Sequence, residues 1–358
     1  MSGEPAVSVV MGVFNGKRFL QSAVESILGQ SFTDFEFIVI DDGSSDSSLP
    51  CLQEYARRDE RMRVFSQPNR GISAAANRGC SLARGKYIAR MDCDDISHSE
   101  RFAKQIECLE SHPETALVGS DVECIDDQGH VLEREVAPHD HEAIVNALAT
   151  YNCFSQSVVM MRKAAFDCVG GYRSMLRNQA EDFDLWLRLS EKFEVANLPL
   201  ILSQRRWHGD QLSIRGVVDQ RLASLAVMKA AERRRAGQAD PLDGAGDPSV
   251  ELLTQMGMPA AQVWREVVGA LRHLALTMSR FGKSASAHRL LEEAIRIGLS
   301  QRGARKETSQ ALWEQARLFF REGRLAPGIS AAVHASFLRP WLPYQALSRR
   351  LQRPGRNS

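Results

Sequence analysis

Short apolar runs alternate with segments of helical periodicity through the first 215 residues of the chain. The apolar runs are rich in β-branched side chains, and their length is typical of strands buried in a parallel sheet. The predicted strands are 7–13, 35–40, 62–65, 87–91, 158–161 and 198–203, and the predicted helices between the first four are 19–28, a segment around 49–55, and 71–82. This β-α-β-α order predicts an α/β fold with a mostly parallel sheet and helices on both faces.

The remaining residues have a purely helical pattern. One long helix is predicted for 217–235, followed by a linker rich in Gly, Pro and Asp at 236–248. Further helices are predicted for 263–281, 284–298, 308–322 and 327–338. Two of the breaks between them, 281–283 and 322–324, are alike, which resembles helical hairpins of the tetratricopeptide type. A plain helical bundle fits the pattern equally well. We therefore predict an α/β domain at 1–215, a helix and linker at 216–250, and an all-α domain at 251–358.

Charge is distributed unevenly along the chain. The net charge of the 358 residues is only +1, which argues against nucleic acid as a partner. From residue 302 onward, however, 11 Lys and Arg oppose 3 Asp and Glu, a local charge of +8. This basic segment also contains Trp341, Tyr344 and several Leu, a mixture that can bind an anionic membrane surface. The alternative is a helical domain with an Arg-rich rim.

Cysteine usage and the apolar runs bear on location. The seven cysteines form no CxxC pair or metal-finger pattern, so reduced thiols are expected. The first residues lack the basic flank and apolar stretch of a secretory signal, and no run of about 18 apolar residues occurs. We expect a cytoplasmic protein, with the basic segment as a candidate peripheral contact on the inner face of the cytoplasmic membrane.

Carboxylates cluster where the predicted strands end. Asp92, Asp94 and Asp95 follow the strand 87–91, while Asn15, Asp41 and Asp42 follow the first two strands. Ligands of parallel sheets bind at the carboxyl ends of the strands. Adjacent acids repel one another, and a divalent ion such as Mg²⁺ or Mn²⁺ would relieve this repulsion through hard oxygen ligands. The alternative is an acidic turn that caps a helix starting near Ser97.

These motifs together resemble the family 2 glycosyltransferases of GT-A fold. The resemblance spans about residues 6–215, and it rests on motifs that keep the family's order and approximate spacing. The motifs are the first strand with Asn15, the run 38–46, the residues Asn69, Gly71 and Asn77, the run 89–95, and the run 170–188. Gly12 departs from the family, which often has Pro or Ala there.

The resemblance implies an inverting, non-processive enzyme that uses Mn²⁺ or Mg²⁺. It would move one sugar from a nucleotide-diphosphate sugar, most simply a UDP-sugar, to a hydroxyl of a glycan or lipid-linked acceptor in cell-surface polysaccharide synthesis. Acceptors of other kinds, a protein or a small molecule, stay open. The segment 151–157 occupies the family's acceptor side but has Asn or Gln where the family often has His, so the acceptor is not identified.

The resemblance also implies roles at the donor site. Asp41 or Asp42 would accept a hydrogen bond from the nucleotide base, with Val13 and Asn15 flanking the ring. The alternative for the two aspartates is an Asx-type turn. Asp92 and Asp94 match the family's DxD motif. Asp92 would face the ribose or sugar, and Asp94 would ligate the metal that bridges the phosphates, with Asp92 as its second candidate ligand. Asp95 would support them or cap a helix.

The remaining roles fall on two later segments. Asp182, at the start of an amphipathic helix, would be the general base that deprotonates the acceptor hydroxyl. An ordinary acid at a helix N-terminus is the alternative. Arg206 and His208, with Arg205, resemble the family's RxH segment, whose basic side chains reach the diphosphate or metal. A solvated loop is the alternative there.

Two other function classes fit the sequence less well. A sugar nucleotidyltransferase would require a Gly-rich phosphate loop directly after the first strand, which 12–16 does not supply. A non-enzymatic scaffold would not be expected to keep Asp92, Asp94 and Asp182.

Overall fold

The computed structural model describes residues 3–177, 179–208, 216–301 and 303–338. The chain divides into two compact units, one formed by 1–208 with 227–247 and the other by 209–226 with 248–358. The long helix Val217–Arg235 contributes residues to both units. Each unit is described by itself below.

The first unit is built on one mixed sheet. Its strands are β1 (Val7–Val13), β2 (Phe35–Asp41), β3 (Met62–Ser66), β4 (Tyr87–Asp92), β5 (Ile96–Ser97), β6 (Thr115–Ile125), β7 (Val131–Glu135), β8 (Met160–Arg162) and β9 (Glu194–Arg206). The order across the sheet is β3-β2-β1-β4-β8-β6-β9-β5, with β7 paired to β6. The four strands β3-β2-β1-β4 are parallel, as predicted. Beyond them β8 is antiparallel to both β4 and β6, β9 is parallel to β6, and β5 is antiparallel to β9.

Helices alternate with the strands of this unit, and only helices occur in the described residues from 216 onward. They are α1 (Lys17–Leu28), α2 (Ser48–Arg58), α3 (Ile72–Ser81), α4 (Arg101–Ser111), α5 (His141–Leu148), α6 (Lys163–Cys168), α7 (Glu181–Ser190), α8 (Val217–Arg235), α9 (Val250–Gln255), α10 (Ala260–Arg280), α11 (Ser284–Ser300), α12 (Arg305–Arg321) and α13 (Leu325–Leu338). No helix within the described ranges combines the length and the apolar composition that a membrane crossing requires.

Burial on both faces explains why β1 and β2 are continuous apolar runs. Along β1, Val9 and Met11 pack into the main core together with side chains of α1, α2 and α4. Val10 points to the other face, where α3 approaches so closely that a Cβ on Gly79 would lie 2.4 Å from a Val10 methyl group. Full burial of each such aliphatic side chain stabilises the fold by about 1.5–3 kcal/mol. The central strands therefore hold the carboxyl edge of the sheet rigidly.

Three details of the sequence-based prediction differ from the structure. No helix starts near Ser97, since Ile96 and Ser97 form the short strand β5 against β9, and α4 begins at Arg101. Strand β9 does not end at residue 203 but continues to Arg206, because its last residues pair with β6. The predicted strand 158–161 is instead a 3-10 turn at Gln156–Val158 followed by β8.

In the second unit, α10 and α11 form one helical hairpin and α12 and α13 form another. The two breaks noticed in the sequence have the same geometry. In the first, Lys283 N–H donates to the carbonyl of Met278, and in the second Arg324 N–H donates to that of Phe319. The preceding Gly282 and Gly323 have φ of +71° and +72°. This is the Schellman helix ending, in which glycine adopts the left-handed conformation without a Cβ clash.

Candidate active site

Residues at the ends of β1 and β2 are linked by hydrogen bonds at the carboxyl edge of the sheet. Asn15, which has a φ of +53°, accepts hydrogen bonds at Oδ1 from the backbone N–H of Ser45 (2.8 Å) and Asp46 (3.3 Å). The carbonyl of Val13 accepts from the N–H of Asp42 at 2.8 Å. The ends of β1 and β2 are thus held together, and the side chain of Val13 is buried.

Asp41 and Asp42 are buried and organise the loops around them. Asp42 accepts three hydrogen bonds, from Gln67 Nε2 (2.7 Å), Arg70 N–H (3.0 Å) and Gly71 N–H (2.8 Å). Asp41 accepts from the hydroxyl of Ser66 (3.0 Å) and from a backbone N–H three residues on (3.3 Å). The bond from the backbone N–H is the kind of local hydrogen bond expected from an Asx-type turn, the alternative interpretation of these two aspartates. A carboxylate has about four acceptor positions, so Asp42 keeps capacity for one further donor.

Asp92 lies at the end of β4 and faces a segment that follows α5. Its Oδ2 accepts from the hydroxyl of Ser157 at 3.0 Å, and its Oδ1 accepts from Gln156 Nε2 at 3.3 Å. Burial raises the pKa of Asp92; the cation of Arg90 opposes this shift, and the neighbouring charge of Asp94 adds to it.

Asp94 and His208 form the more open part of the acid cluster. The carboxylate Oδ2 of Asp94 lies 3.0 Å from Nε2 of His208, and the side chain of Asp94 is 26% exposed. The imidazole of His208 packs on the ring of Phe19, with 5.0 Å between ring centroids. The structure therefore brings these two predicted residues together, although they are 114 positions apart in the chain.

Asp95 supports the cluster and does not cap a helix. It is buried, and its Oδ1 accepts from the backbone N–H of Arg206 at 2.8 Å. Burial, with the charges of Asp94 and Asp92, raises its pKa well above the usual range. The expectation of a helix cap is incorrect because α4 begins at Arg101.

The basic residues at the end of β9 point in different directions. Arg206 is buried, and its guanidinium donates to the carbonyls of Asp94 (3.0 Å) and Asp126 (2.9 Å). Arg205 forms an ion pair with Glu135 and stacks on Trp207. The structure thus gives Arg206 a contact with the backbone of the acidic loop and Arg205 a contact with β7. The remainder of this segment, 209–215, lies outside the described residues.

Asp182 occupies the first turn of α7. Its Oδ1 accepts from the N–H of Phe183 (2.7 Å) and its Oδ2 from Nδ2 of Asn152 (2.9 Å). Burial raises the pKa of Asp182 to about 6; the two hydrogen bonds oppose this shift, and the charge of Asp92 adds to it. Burial and the charge of Asp182 raise the pKa of the adjacent Glu181 well above its usual range. Glu181 therefore keeps its proton to a higher pH than an ordinary glutamate does.

The sequence does not reveal how the segment 151–157 is used. It was expected to face the acceptor, yet three of its side chains hold the candidate catalytic acids: Asn152 holds Asp182, while Gln156 and Ser157 hold Asp92. These partners are 30 to 65 positions apart, and no periodic pattern links them. Asp184 is fully buried and pairs with Arg173 and Arg188, as a structural acid would.

The chemistry of the acidic cluster fits a divalent cation. Asp94 offers an exposed carboxylate oxygen, and the pKa values of Asp92 and Asp95 are raised by burial and mutual repulsion, which a cation would relieve. In the described ranges a different group, Cys124, Glu133 and Glu135, has three potential ligand atoms within 4.8 Å of one another. It fits less well, because burial raises the pKa of the Cys124 thiol to about 11 and Arg205 pairs with Glu135.

Comparison with known proteins decides the family. The family described as Glycosyl transferase family 2 matches residues 8–178. The Bacillus subtilis protein EpsE, named as a glycosyltransferase, is 34% identical over 244 residues, which are 67% of this chain and 87% of EpsE. The chain belongs to glycosyltransferase family 2. The predicted family is confirmed, and the protein is a glycosyltransferase enzyme.

Other similar proteins fit this family assignment. The chondroitin synthase of Escherichia coli is 28% identical over 237 residues, 63% of this glycosyltransferase but only 34% of the synthase. Two solved structures show the fold alone. Staphylococcus aureus TarS 1–349 in complex with UDP-GlcNAc has a TM-score of 0.53 at 14% identity, covering 92% of this chain and 91% of that one. The mannosyltransferase PcManGT from Pyrobaculum calidifontis, in complex with GDP-Man and Mn²⁺, has a TM-score of 0.52 at 16% identity, covering 94% and 89%. The GT-A fold with additional helices is confirmed.

Proposed function

We propose that this glycosyltransferase is an inverting, metal-dependent enzyme that moves a single sugar from a UDP-sugar to a hydroxyl of a glycan or lipid-linked acceptor. The observation that carries the proposal is the acid set at one edge of the sheet. Asp92 ends β4 and Asp94 follows it, and Asp182 lies close enough that the charge of Asp92 helps to raise the pKa of Asp182. A metal-binding pair beside a separate base is what single-displacement sugar transfer requires.

The donor end of the reaction falls on the acidic loop. Asp94 and Asp92 would hold Mn²⁺ or Mg²⁺, which when bound supplies Lewis-acid stabilisation of the departing diphosphate. His208, which lies 3.0 Å from Asp94, would contact the diphosphate or the metal. Arg206 would act on the diphosphate or the metal indirectly, because its guanidinium donates to the backbone carbonyl of Asp94 and so fixes the position of that residue. The presence of Mn²⁺ with GDP-Man in PcManGT supports a metal-dependent donor site.

The nucleotide would lie against the ends of β1 and β2. Asp42 has a free acceptor position for a ring N–H of the base, and Asp41 is its alternative. Val13 and Asn15 would flank the ring of the base, because their hydrogen bonds hold the ends of β1 and β2 in place. UDP-GlcNAc in TarS supports a uridine donor, whereas GDP-Man in PcManGT shows that a similar fold binds another base.

Asp182 would serve as the general base. Its carboxylate takes the proton of the acceptor hydroxyl as that oxygen attacks C1 of the donor sugar. The bond from C1 to the diphosphate breaks on the opposite side, and its electron pair leaves with the nucleoside diphosphate. Because attack and departure occur on opposite faces of C1, the configuration of the anomeric carbon is inverted. A pKa of about 6 leaves Asp182 mostly ionised at pH 7 and more basic than an ordinary aspartate.

Cell-surface polysaccharide synthesis is the proposed setting. The relatives support it through their names, which include a chondroitin synthase and an O-antigen biosynthesis glycosyltransferase. We also propose that residues 1–215 form the catalytic domain, that 216–250 connect it, and that 251–358 form the helical domain. The basic residues beyond 338 would contact the inner face of the cytoplasmic membrane, and this segment lies outside the described residues.

A panel of nucleotide sugars tests the proposal. Hydrolysis and transfer are measured with and without Mn²⁺ for the wild type, Asp94→Ala and Asp182→Asn. Asp167→Asn, an exposed aspartate on α6, is the matched control. We expect one donor to be hydrolysed only with Mn²⁺, the two active-site variants to be deficient, and the control to retain activity. Mn²⁺-dependent turnover that Asp94→Ala leaves unchanged would contradict the proposed site.

A further inference from the structure

The segment that follows α8 is bound to the first unit by buried ion pairs. The sequence predicts a linker at 236–248, yet residues up to 247 belong to this unit. The side chain of Asp240 is only 7% exposed, and its Oδ2 accepts from two guanidiniums, Nη2 of Arg173 at 2.6 Å and Nη1 of Arg234 at 2.7 Å. Its Oδ1 accepts from the N–H of Leu242 at 2.9 Å. Asp240 is therefore held in place on both oxygens.

Both arginines also contact α7, the helix that carries the proposed base. Arg173 donates through Nη1 to Asp184, a fully buried residue in the first turn of α7, at 3.3 Å. Arg234 donates through Nε and Nη2 to both carboxylate oxygens of Glu191, which directly follows the last residue of α7, at 2.7 and 2.9 Å. Asp240 thus joins two cations that contact opposite ends of one helix.

The charges of this network oppose any displacement of α7. Burial disfavours the ionised form of Asp240, yet the hydrogen bonds from Arg173, Leu242 and Arg234 lower its pKa to about 2, so Asp240 is ionised at neutral pH. Separating one partner from a buried ion pair leaves an uncompensated buried charge, which is strongly unfavourable. A shift of α7 away from either arginine would separate such a pair. The network therefore favours one position of the helix.

We propose that Asp240 is a positioning residue that holds α7, and with it the general base, in the geometry for proton transfer. The inference rests on the proposed function, since it takes Asp182 as the base. Asp182 lies two residues before Asp184 in the same helical turn, so a shift at the Arg173 contact displaces its carboxylate as well. A general base must lie within hydrogen-bond distance of the proton that it takes, and a misplacement of about 1 Å can lower the rate about 100-fold. The residues proposed to bind the donor belong to other elements, so the effect should fall on the base.

Mn²⁺-dependent hydrolysis of the UDP-sugar that the wild type turns over tests the inference, with water in place of the acceptor hydroxyl. The test variant is Asp240→Asn. The matched control is Asp243→Asn, since Asp243 pairs with the same Arg173 at 3.1 Å but is 74% exposed. We expect kcat of Asp240→Asn to fall about tenfold or more, while its KM for the donor and its affinity for UDP with Mn²⁺ stay those of the wild type. The control should equal the wild type in all three measurements.

Two results would overturn the inference. If kcat of Asp240→Asn equals that of the wild type, the network only stabilises the fold, even where the melting temperature is lower. If kcat and UDP affinity fall together, the substitution damages the whole site rather than the position of the base. Should Asp240→Asn fail to fold, Glu191→Gln weakens the contact of Arg234 with the other end of α7, and the same expectation and the same refutations apply to it.

Asp182→Asn separates a failure of this inference from a failure of the proposed function. If Asp182 is not the base, Asp182→Asn hydrolyses the donor as fast as the wild type does, and the proposed function fails. If Asp182 is the base but Asp240 does not position it, Asp182→Asn is deficient while Asp240→Asn keeps the kcat of the wild type.

Discussion

Replacing Asn152 with Ala should move the acidic limb of the pH–rate profile to higher pH. Asn152 Nδ2 donates to Oδ2 of Asp182 at 2.9 Å and thereby lowers the pKa of that carboxyl, against the larger effect of burial. Without this hydrogen bond the ionised form of Asp182 loses a partner and the pKa rises. A general base is active only when ionised, so activity that requires Asp182 should appear at a higher pH.

The structure sets the size of this shift. A hydrogen bond to a charged group contributes about 1.5–3 kcal/mol, and one pKa unit corresponds to about 1.4 kcal/mol. Asn152 is only partly buried, and water can replace part of the bond, so we expect the lower end, a rise of about one unit. The limb would then move from about 6 to about 7. At pH 6 the ionised fraction would fall about fivefold, while at pH 8 it would change by only about a tenth.

The assay is kcat/KM for sugar transfer from pH 5 to pH 8.5, because this ratio reports the pKa values of the free enzyme. Ser155→Ala is the control, since it alters the same segment and leaves both hydrogen bonds of Asp182 in place. A limb that stays near 6 in Asn152→Ala would refute the reasoning. So would a loss of activity that is the same at every pH, because that result would assign Asn152 to the acceptor rather than to the base.

Four further predictions follow from the same geometry. Asp94→Ala should weaken Mn²⁺-dependent UDP binding by about tenfold or more in calorimetry, and unchanged affinity in a folded variant would remove Asp94 from the metal site. Asp182→Asn should lower transfer by roughly 100-fold or more with nearly unchanged UDP affinity, whereas a loss explained by weak donor binding would exclude the base role. Gly43→Ala should lower the melting temperature more than Gly129→Ala does. Both glycines have positive φ, but only at Gly43 would a Cβ lie 2.8 Å from a backbone nitrogen. Equal shifts in melting temperature would show that the loop around Gly43 can move to accept the Cβ. Mn²⁺ with UDP should raise the melting temperature more at pH 8 than at pH 5, because protonated acids at pH 5 leave less negative charge for the cation to neutralise, and an equal rise at both pH values would contradict a carboxylate site.

The parallel part of the sheet could be predicted from the sequence because its signals are local. Strands β1, β2 and β4 are buried on both faces and therefore appear as continuous apolar runs with acids where they end. The carboxyl ends of neighbouring parallel strands lie at one edge, so the grouping of Asn15, Asp42 and Asp92 follows from topology alone. The longer helices after residue 216 were predicted for a similar reason, since two glycine breaks between them repeat in the sequence, but the short helix α9 was not predicted.

The other half of the sheet and the supporting residues of the site depend on contacts that are distant in sequence. Strand β9 reaches Arg206 because β6 pairs with it, and β5 exists only as a partner of β9. The side chains of Asn152, Gln156 and Ser157 have ordinary polar identities, and only folding places them against acids 30 to 65 positions away. A single sequence contains no local signal for such pairs.

The raised pKa values of these acids show that burial and mutual repulsion disfavour their ionised forms. Asp182 has a pKa of about 6 in the folded protein against 3.8 for an ordinary aspartate, so the folded state binds more protons than the unfolded state between these values. The stability that this group contributes is therefore present below pH 3.8 and is lost as the pH rises through about 6. Burial shifts Asp92 and Asp95 in the same direction. Buried cations near these acids include Arg90 and Arg101, which act on Asp92, and Arg206, which donates to the carbonyl of Asp94. Arg90 opposes the effect of burial on Asp92, yet the pKa of Asp92 stays raised, as does that of Asp95. A divalent cation bound at this edge, as proposed above, would relieve the repulsion among these acids.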